Sequence, residues 1–164
     1  MKDVYLGIGS NVDARNHIRL GVLALREKFG EVRLSPVYET PAVGFEGENF
    51  LNLAAHVRTD IQPLALKEFL NVLEEQHGRK RNVPKFSDRT LDNDILLYGN
   101  LYLNSPKLEL PRAELKKYSH VLKPMADLAP NLIHPVCHRS IGEIWDDFEG
   151  SKSSLERIGL DLTC

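Results

Sequence analysis

Residues 4–9, Val4-Tyr5-Leu6-Gly7-Ile8-Gly9, form a short apolar run closed by Ser10-Asn11, which reads as a buried strand. The period then changes. Ile18, Val22, Leu25 and Phe29 recur at helical spacing, and Gly30 stands where a helix commonly ends. Two more strands are predicted over 32–38 and 51–57, separated by a loop over 40–49 that is too long for a tight hairpin. Leu66, Phe69, Leu70 and Leu73 mark one face of a second helix over 63–77, entered at Pro63 and left at Gly78. A basic segment, 79–89, leads into a last strand over 90–98.

The order strand, helix, strand, strand, helix, strand predicts an α+β fold, a ferredoxin-like βαββαβ arrangement with an antiparallel sheet and both helices on one face. The remainder, from about 100 to 164, reads as a C-terminal appendage of short strands and turns with a helix over 141–148. Pro106, Pro111, Pro124, Pro130 and Pro135 are expected to keep its elements short. No repeat or linker divides the chain, so 1–164 is expected to be one domain, a core over about 1–100 and an extension over about 101–164.

Composition narrows the classes. The 164 residues are 42% hydrophobic and 27% charged, and 21 basic against 23 acidic residues give a net charge of -2. No global field draws such a chain to nucleic acid or an anionic membrane. No apolar run approaches the roughly 20 residues of a membrane span, and the first apolar run is too short for a secretion signal. Cys137 and Cys164 make no disulfide framework. A soluble cytoplasmic protein, monomeric and acting on small molecules, is the expectation.

Asp92-Asn93-Asp94 lies inside the apolar strand, and alternation puts the two carboxylates on one face with Leu91, Asn93 and Ile95 on the other. Like charges side by side repel. Either Mg²⁺ relieves the conflict, bound by the carboxylates and substrate phosphates, or the acids merely face solvent. The preceding segment carries Arg79, Lys80, Arg81, Lys85 and Arg89, cations suited to phosphate oxygens. Cations leading into a carboxylate pair suit a magnesium nucleotide. No Gly-x-x-x-x-Gly-Lys-[Ser/Thr] segment exists, which excludes a P-loop. Gly9-Ser10 stands too far from Asp92 for a polymerase-type nucleotidyltransferase. His134-Pro135-Val136-Cys137-His138 lacks a second ligand cluster and reads as a turn, not a zinc site.

The run Arg89-Thr90-Leu91-Asp92-Asn93-Asp94-Ile95-Leu96-Leu97-Tyr98-Gly99 resembles the signature of the 6-hydroxymethyl-7,8-dihydropterin pyrophosphokinase family of folate biosynthesis. The resemblance extends from Val4 to about Trp145, through Gly7-Ile8-Gly9-Ser10-Asn11, Tyr38-Glu39-Thr40-Pro41, Phe50-Leu51-Asn52 and the stretch from Glu74 to Arg79. It implies transfer of pyrophosphate from ATP to the pterin hydroxymethyl group with release of AMP. It further implies that Asp92 and Asp94 bind two Mg²⁺ ions, that Arg79 and Arg89 bind phosphate, and that Glu74 lies near the metal and nucleotide. Thr40, Pro41, Val43 and Asn52 match positions around the pterin edge, and Phe50 matches one aromatic of the pair that sandwiches the ring.

Several positions depart from the family pattern. Phe86-Ser87-Asp88 replaces Trp-Gly-Pro, Asn93 replaces an apolar residue, and Pro111-Arg112-Ala113 replaces Pro-His-[Tyr/Pro]. Tyr118-Ser119-His120 replaces Arg-x-Phe, which removes a phosphate cation and a stacking ring. Arg112 or Lys107 is expected to supply the missing charge, and His120 to face Phe50 across the pterin. The alternatives are a divergent paralogue acting on a related pterin and a non-catalytic pterin- or nucleotide-binding relative. The segments 41–49 and 79–89 are expected to order around bound ligands.

Overall fold

The computed structural model of the chain describes residues 1–42, 46–78, 90–150 and 155–162. Strand β1 (Lys2–Ser10) is followed by α1 (Ala14–Phe29), whose C-terminal Gly30 adopts φ 78° and donates its N–H to the Arg26 carbonyl. The predicted strand over 32–38 is two strands, β2 (Arg33–Leu34) and β3 (Val37–Thr40). Pro36 has no N–H for a ladder, and beside it the Ser35 hydroxyl accepts the Ala54 N–H at 2.8 Å. Then come β4 (Phe50–Thr59), α2 (Pro63–Gln76) and β5 (Asp92–Tyr98).

These strands pair in the order β5-β1-β4-β3, every pairing antiparallel, with β2 also on β4. Val4, Leu6 and Ile8 of β1 pack with Ile18, Val22 and Leu25 of α1 and Leu66, Leu70 and Leu73 of α2. The helices α1 and α2 therefore share one face, as the ferredoxin-like pattern predicts.

The expected C-terminal extension is present, with more helix than the sequence predicts. After the ribbon β6 (Leu103–Asn104) and β7 (Glu109–Leu110) come α3 (Glu114–Lys117), α4 (Ser119–Leu128) and α5 (Ile141–Asp146). Leu115, Leu122, Met125, Ile141 and Ile144 of these helices pack on Tyr5, Ala54, Leu96 and Leu97, covering the sheet's second face. A final strand, β8 (Glu156–Ile158), extends the sheet beside β3. Pro124 does not end α4 but lies buried within it. Burial of Leu122 and Met125 around it outweighs the lost helical hydrogen bond.

One irregularity aims the site. The β1–β5 register shifts between Tyr5 and Leu6, so that Tyr5 faces Leu97 but Leu6 faces Ile95. The bulged Leu96 thereby joins Leu97 in the second-face cluster, while Ile95 and Tyr98 stay with α1 and α2. Below the bulge, alternation resumes and sends Asp92 and Asp94 to the second face.

Candidate active site

Directly opposed residues in an antiparallel sheet share a face. Asp92 of β5 opposes Gly9 of β1, which opposes Asn52 of β4, which opposes Tyr38 of β3. One row up, Asp94 opposes Gly7, which opposes Ala54. The acids thus stand two strand spacings, about 10 Å, from the Asn52 amide, with only glycine between them. Contact favours glycine at position 9, where a Cβ would lie 3.0 Å from Asn52 Oδ1, whereas one on Gly7 would meet Leu96 at an ordinary 3.4 Å. The result is a floor without side chains between a carboxylate pair and a polar edge.

At the polar edge, Asn52 Nδ2 donates to Thr40 Oγ1 at 2.9 Å, and both residues are buried. Phe50 opposes Thr40 and is partly exposed on the same face. Asn11 Nδ2 donates to the Glu48 carbonyl at 3.1 Å, tying Glu48 to the end of β1, and Pro41 is exposed. Tyr38 donates its hydroxyl to Asp127 of α4, and burial with that carboxylate pushes the phenol up to about 12. The bond holds α4 over this row.

At the acidic edge, Asp94 is pushed up to about 7, first by burial and then by the Asp92 charge, against the opposing pull of Arg112. Oxygen donors on alternate residues of one strand suit Mg²⁺ completed by phosphate oxygens. Among the described residues no group of three or more His, Cys, Asp or Glu side chains is arranged to hold a metal alone. The fit is therefore to a metal brought with a polyphosphate.

Glu74 lies on the other side of β5. It is buried, and its Oε2 accepts the Asn93 backbone N–H at 2.8 Å. The Asn93 side chain, expected to need a partner on the core face, has none among the described residues. Arg112 approaches from the turn before α3, with Nη2 3.6 Å from Asp94 Oδ1. Lys107 sits exposed in the β6–β7 turn, where its carbonyl accepts from Lys67 of α2. Of the two cations expected to replace the missing charge, Arg112 is the one beside the acids among the described residues.

His120 stands in the first turn of α4, and its ring stacks on Tyr118 with centroids 5.3 Å apart and planes at 24°. One face of the imidazole is thus covered by Tyr118. Burial lowers the His120 pKa from its ordinary 6.5, opposed by the charges of Glu114 and Asp92. Val43, Arg79 and Arg89, with the departures at Phe86, Ser87 and Asp88, lie outside the described residues. Glu114, whose Oε1 accepts from Arg112 at 3.1 Å, belongs to the site and was not singled out in the sequence. The signal available was an acid two positions after the substituted arginine.

Residues 5–130 match the family model described as 7,8-dihydro-6-hydroxymethylpterin-pyrophosphokinase. The 2-amino-4-hydroxy-6-hydroxymethyldihydropteridine pyrophosphokinase of Aquifex aeolicus is 36% identical, covering 87% of this chain and 90% of the relative. The enzyme of the same name from Pseudomonas aeruginosa is 37% identical over 80% and 83% of the two chains. That from Bacillus subtilis is 32% identical over 96% and 93%. Among solved structures, Plasmodium falciparum HPPK-DHPS with pterin and p-hydrobenzoate superimposes at TM-score 0.72 with 15% identity. That alignment covers 95% of this chain and 47% of the longer one, and at such identity it speaks for the fold alone.

Proposed function

The chain belongs to the 7,8-dihydro-6-hydroxymethylpterin-pyrophosphokinase family, and from that premise we propose that it transfers the terminal pyrophosphoryl group of ATP to the hydroxymethyl oxygen of 6-hydroxymethyl-7,8-dihydropterin, releasing AMP in folate biosynthesis. The hydroxymethyl oxygen bonds to the β-phosphorus, the bond from that phosphorus to the α,β-bridging oxygen breaks, and the hydroxyl proton leaves to solvent. The observation that carries the reading is the row Asp92–Gly9–Asn52 across three strands. It supports a planar polar ring at one end, a charged polyphosphate at the other, and a reacting oxygen over bare backbone between them.

Asn52 and Thr40 offer a fixed amide and hydroxyl to the pterin edge, and their mutual hydrogen bond sets the orientation of both. Phe50 covers one ring face, and His120 backed by Tyr118 covers the other. Asp92 and Asp94 would hold two Mg²⁺ ions with the triphosphate. Bound there, the ions supply positive charge to the transferring phosphoryl oxygens. Arg112, together with Arg79 and Arg89, binds phosphate oxygens, so that positioning and charge carry most of the rate. Glu74 acts from beneath by fixing the backbone between the two acids.

The test is product identity. Incubation with Mg²⁺, ATP and 6-hydroxymethyl-7,8-dihydropterin gives AMP in equal amount to pterin consumed, and no AMP when pterin is left out. Formation of ADP instead would contradict pyrophosphoryl transfer, and no pterin-dependent product would favour the non-catalytic relative.

A further inference from the structure

Arg112 is held by two carboxylates unequally. Its Nη2 donates to Glu114 Oε1 at 3.1 Å, while the same nitrogen stands 3.6 Å from Asp94 Oδ1, an ion pair longer than a hydrogen bond. Its Nε is buried and has no partner among the described residues. The backbone is fixed at this point, because the Arg112 N–H donates to the Leu96 carbonyl at 3.0 Å and the Arg112 carbonyl accepts from Leu115 at 3.1 Å. Arg112 and Glu114 therefore sit on one rigid turn against the bulge of β5.

An arginine beside a lone carboxylate settles into a two-pronged pair, which occupies both oxygens. Asp94 is not engaged in that way. Glu114 takes the hydrogen bond, and Asp94 has the longer contact. A guanidinium with one strong tether, from Nη2 to Glu114, keeps outer N–H donors for another anion.

We propose that Glu114 is a positioning residue: it holds the Arg112 guanidinium off Asp94, so that Asp94 stays open to a divalent cation and Arg112 stays available to the polyphosphate. The proposal rests on reading Asp94 as a metal ligand and Arg112 as a phosphate contact. Without Glu114, Arg112 closes onto Asp94 and competes with the cation for the same oxygens.

Calorimetric titration of the nucleotide-free protein with Mn²⁺, then with Mn²⁺ and α,β-methylene-ATP, tests this in the full chain. Glu114→Gln keeps the shape and removes the charge. It should weaken Mn²⁺ binding by about fivefold or more, close to 1 kcal/mol. Glu114→Asp should restore binding to within about twofold. In an Arg112→Met background, with no guanidinium to restrain, Glu114→Gln should change Mn²⁺ binding by less than about twofold. Arg112→Met alone should tighten Mn²⁺ binding and weaken binding of the nucleotide analogue. An equal loss from Glu114→Gln in both backgrounds would overturn the proposal, since Glu114 would then act only as a nearby negative charge. Unchanged Mn²⁺ binding in Glu114→Gln would overturn it too. Asp94→Asn separates the underlying reading: if it binds Mn²⁺ as tightly as the parent chain, Asp94 is no ligand, whatever Glu114 does. Near-ultraviolet circular dichroism of each variant establishes that losses are not unfolding.

Discussion

The Glu74 carboxylate accepts the Asn93 backbone N–H at 2.8 Å, on the open edge of the strand that carries Asp92 and Asp94. β5 has β1 on one side only among the described strands, and an edge N–H without a partner is both costly and mobile. Helix α2 supplies the missing acceptor from a residue that is 2% exposed.

Glu74→Ala should therefore destabilise the protein by about 1.5–3 kcal/mol, the loss of a charge-assisted hydrogen bond to a buried donor. Urea unfolding measures the loss, and amide exchange at Asn93 should accelerate more than elsewhere in β5. A variant as stable as the parent would assign Glu74 to ligand contact instead of to the strand.

Gly9→Ala tests the glycine floor. The added methyl lies 3.0 Å from Asn52 Oδ1, so the amide must turn and its hydrogen bond to Thr40 distorts. The KM for pterin should rise by about tenfold while the KM for ATP stays within about twofold, since the displaced group reads only the ring. Equal changes in both would show that the trough deforms as a whole.

The fold was legible to the extent that it depends on periodicity. The short apolar strand runs and the helical spacing of α1 and α2 give the element order, which predicts an antiparallel sheet with both helices on one face, as found. The β5 bulge was not legible, because Leu96 and Leu97 are equally apolar and only the register with Tyr5 separates them. Helix α4 was missed because Pro124 argues locally against a helix, whereas burial against the sheet decides for one. Within the site, the paired acids stand out by themselves. The Gly9–Asn52 contact and the Arg112–Glu114 tether join segments whose proximity arises only from folding.

The acids make the metal-free protein sensitive to pH. Asp94 titrates at about 7 in the fold against an ordinary 3.8, so the fold favours its protonated form. That stabilisation is present in full below the ordinary value and is lost as pH rises through about 7. In EDTA, Asp94→Asn should therefore raise the melting temperature relative to the parent by more at pH 8 than at pH 5, by about a few degrees. Thermal melts of both proteins across this range measure it. A constant difference would mean that Asp94 is ionised throughout.

His120 should be neutral at pH 7, because burial lowers its pKa. Pterin binding in the presence of α,β-methylene-ATP should then be flat above pH 7 and weaken as the pH falls below the ordinary histidine value, where protonation places a cation between the ring and Tyr118. His120→Phe should remove the decline. Calorimetry at pH 5.5 and 7.5 measures both, and an identical pH profile in the variant would move the stacking role to Tyr118 alone.

The most direct test of the whole account is AMP release from Mg²⁺, ATP and 6-hydroxymethyl-7,8-dihydropterin by the parent chain, Asp92→Ala and Asp94→Ala, with circular dichroism run on the same samples. The account predicts stoichiometric AMP from the parent and a loss of about a thousandfold or more in each variant, with the fold retained because each change removes a repelled charge and no packing. Near-parental AMP release from either folded variant would contradict the assignment of the carboxylate pair.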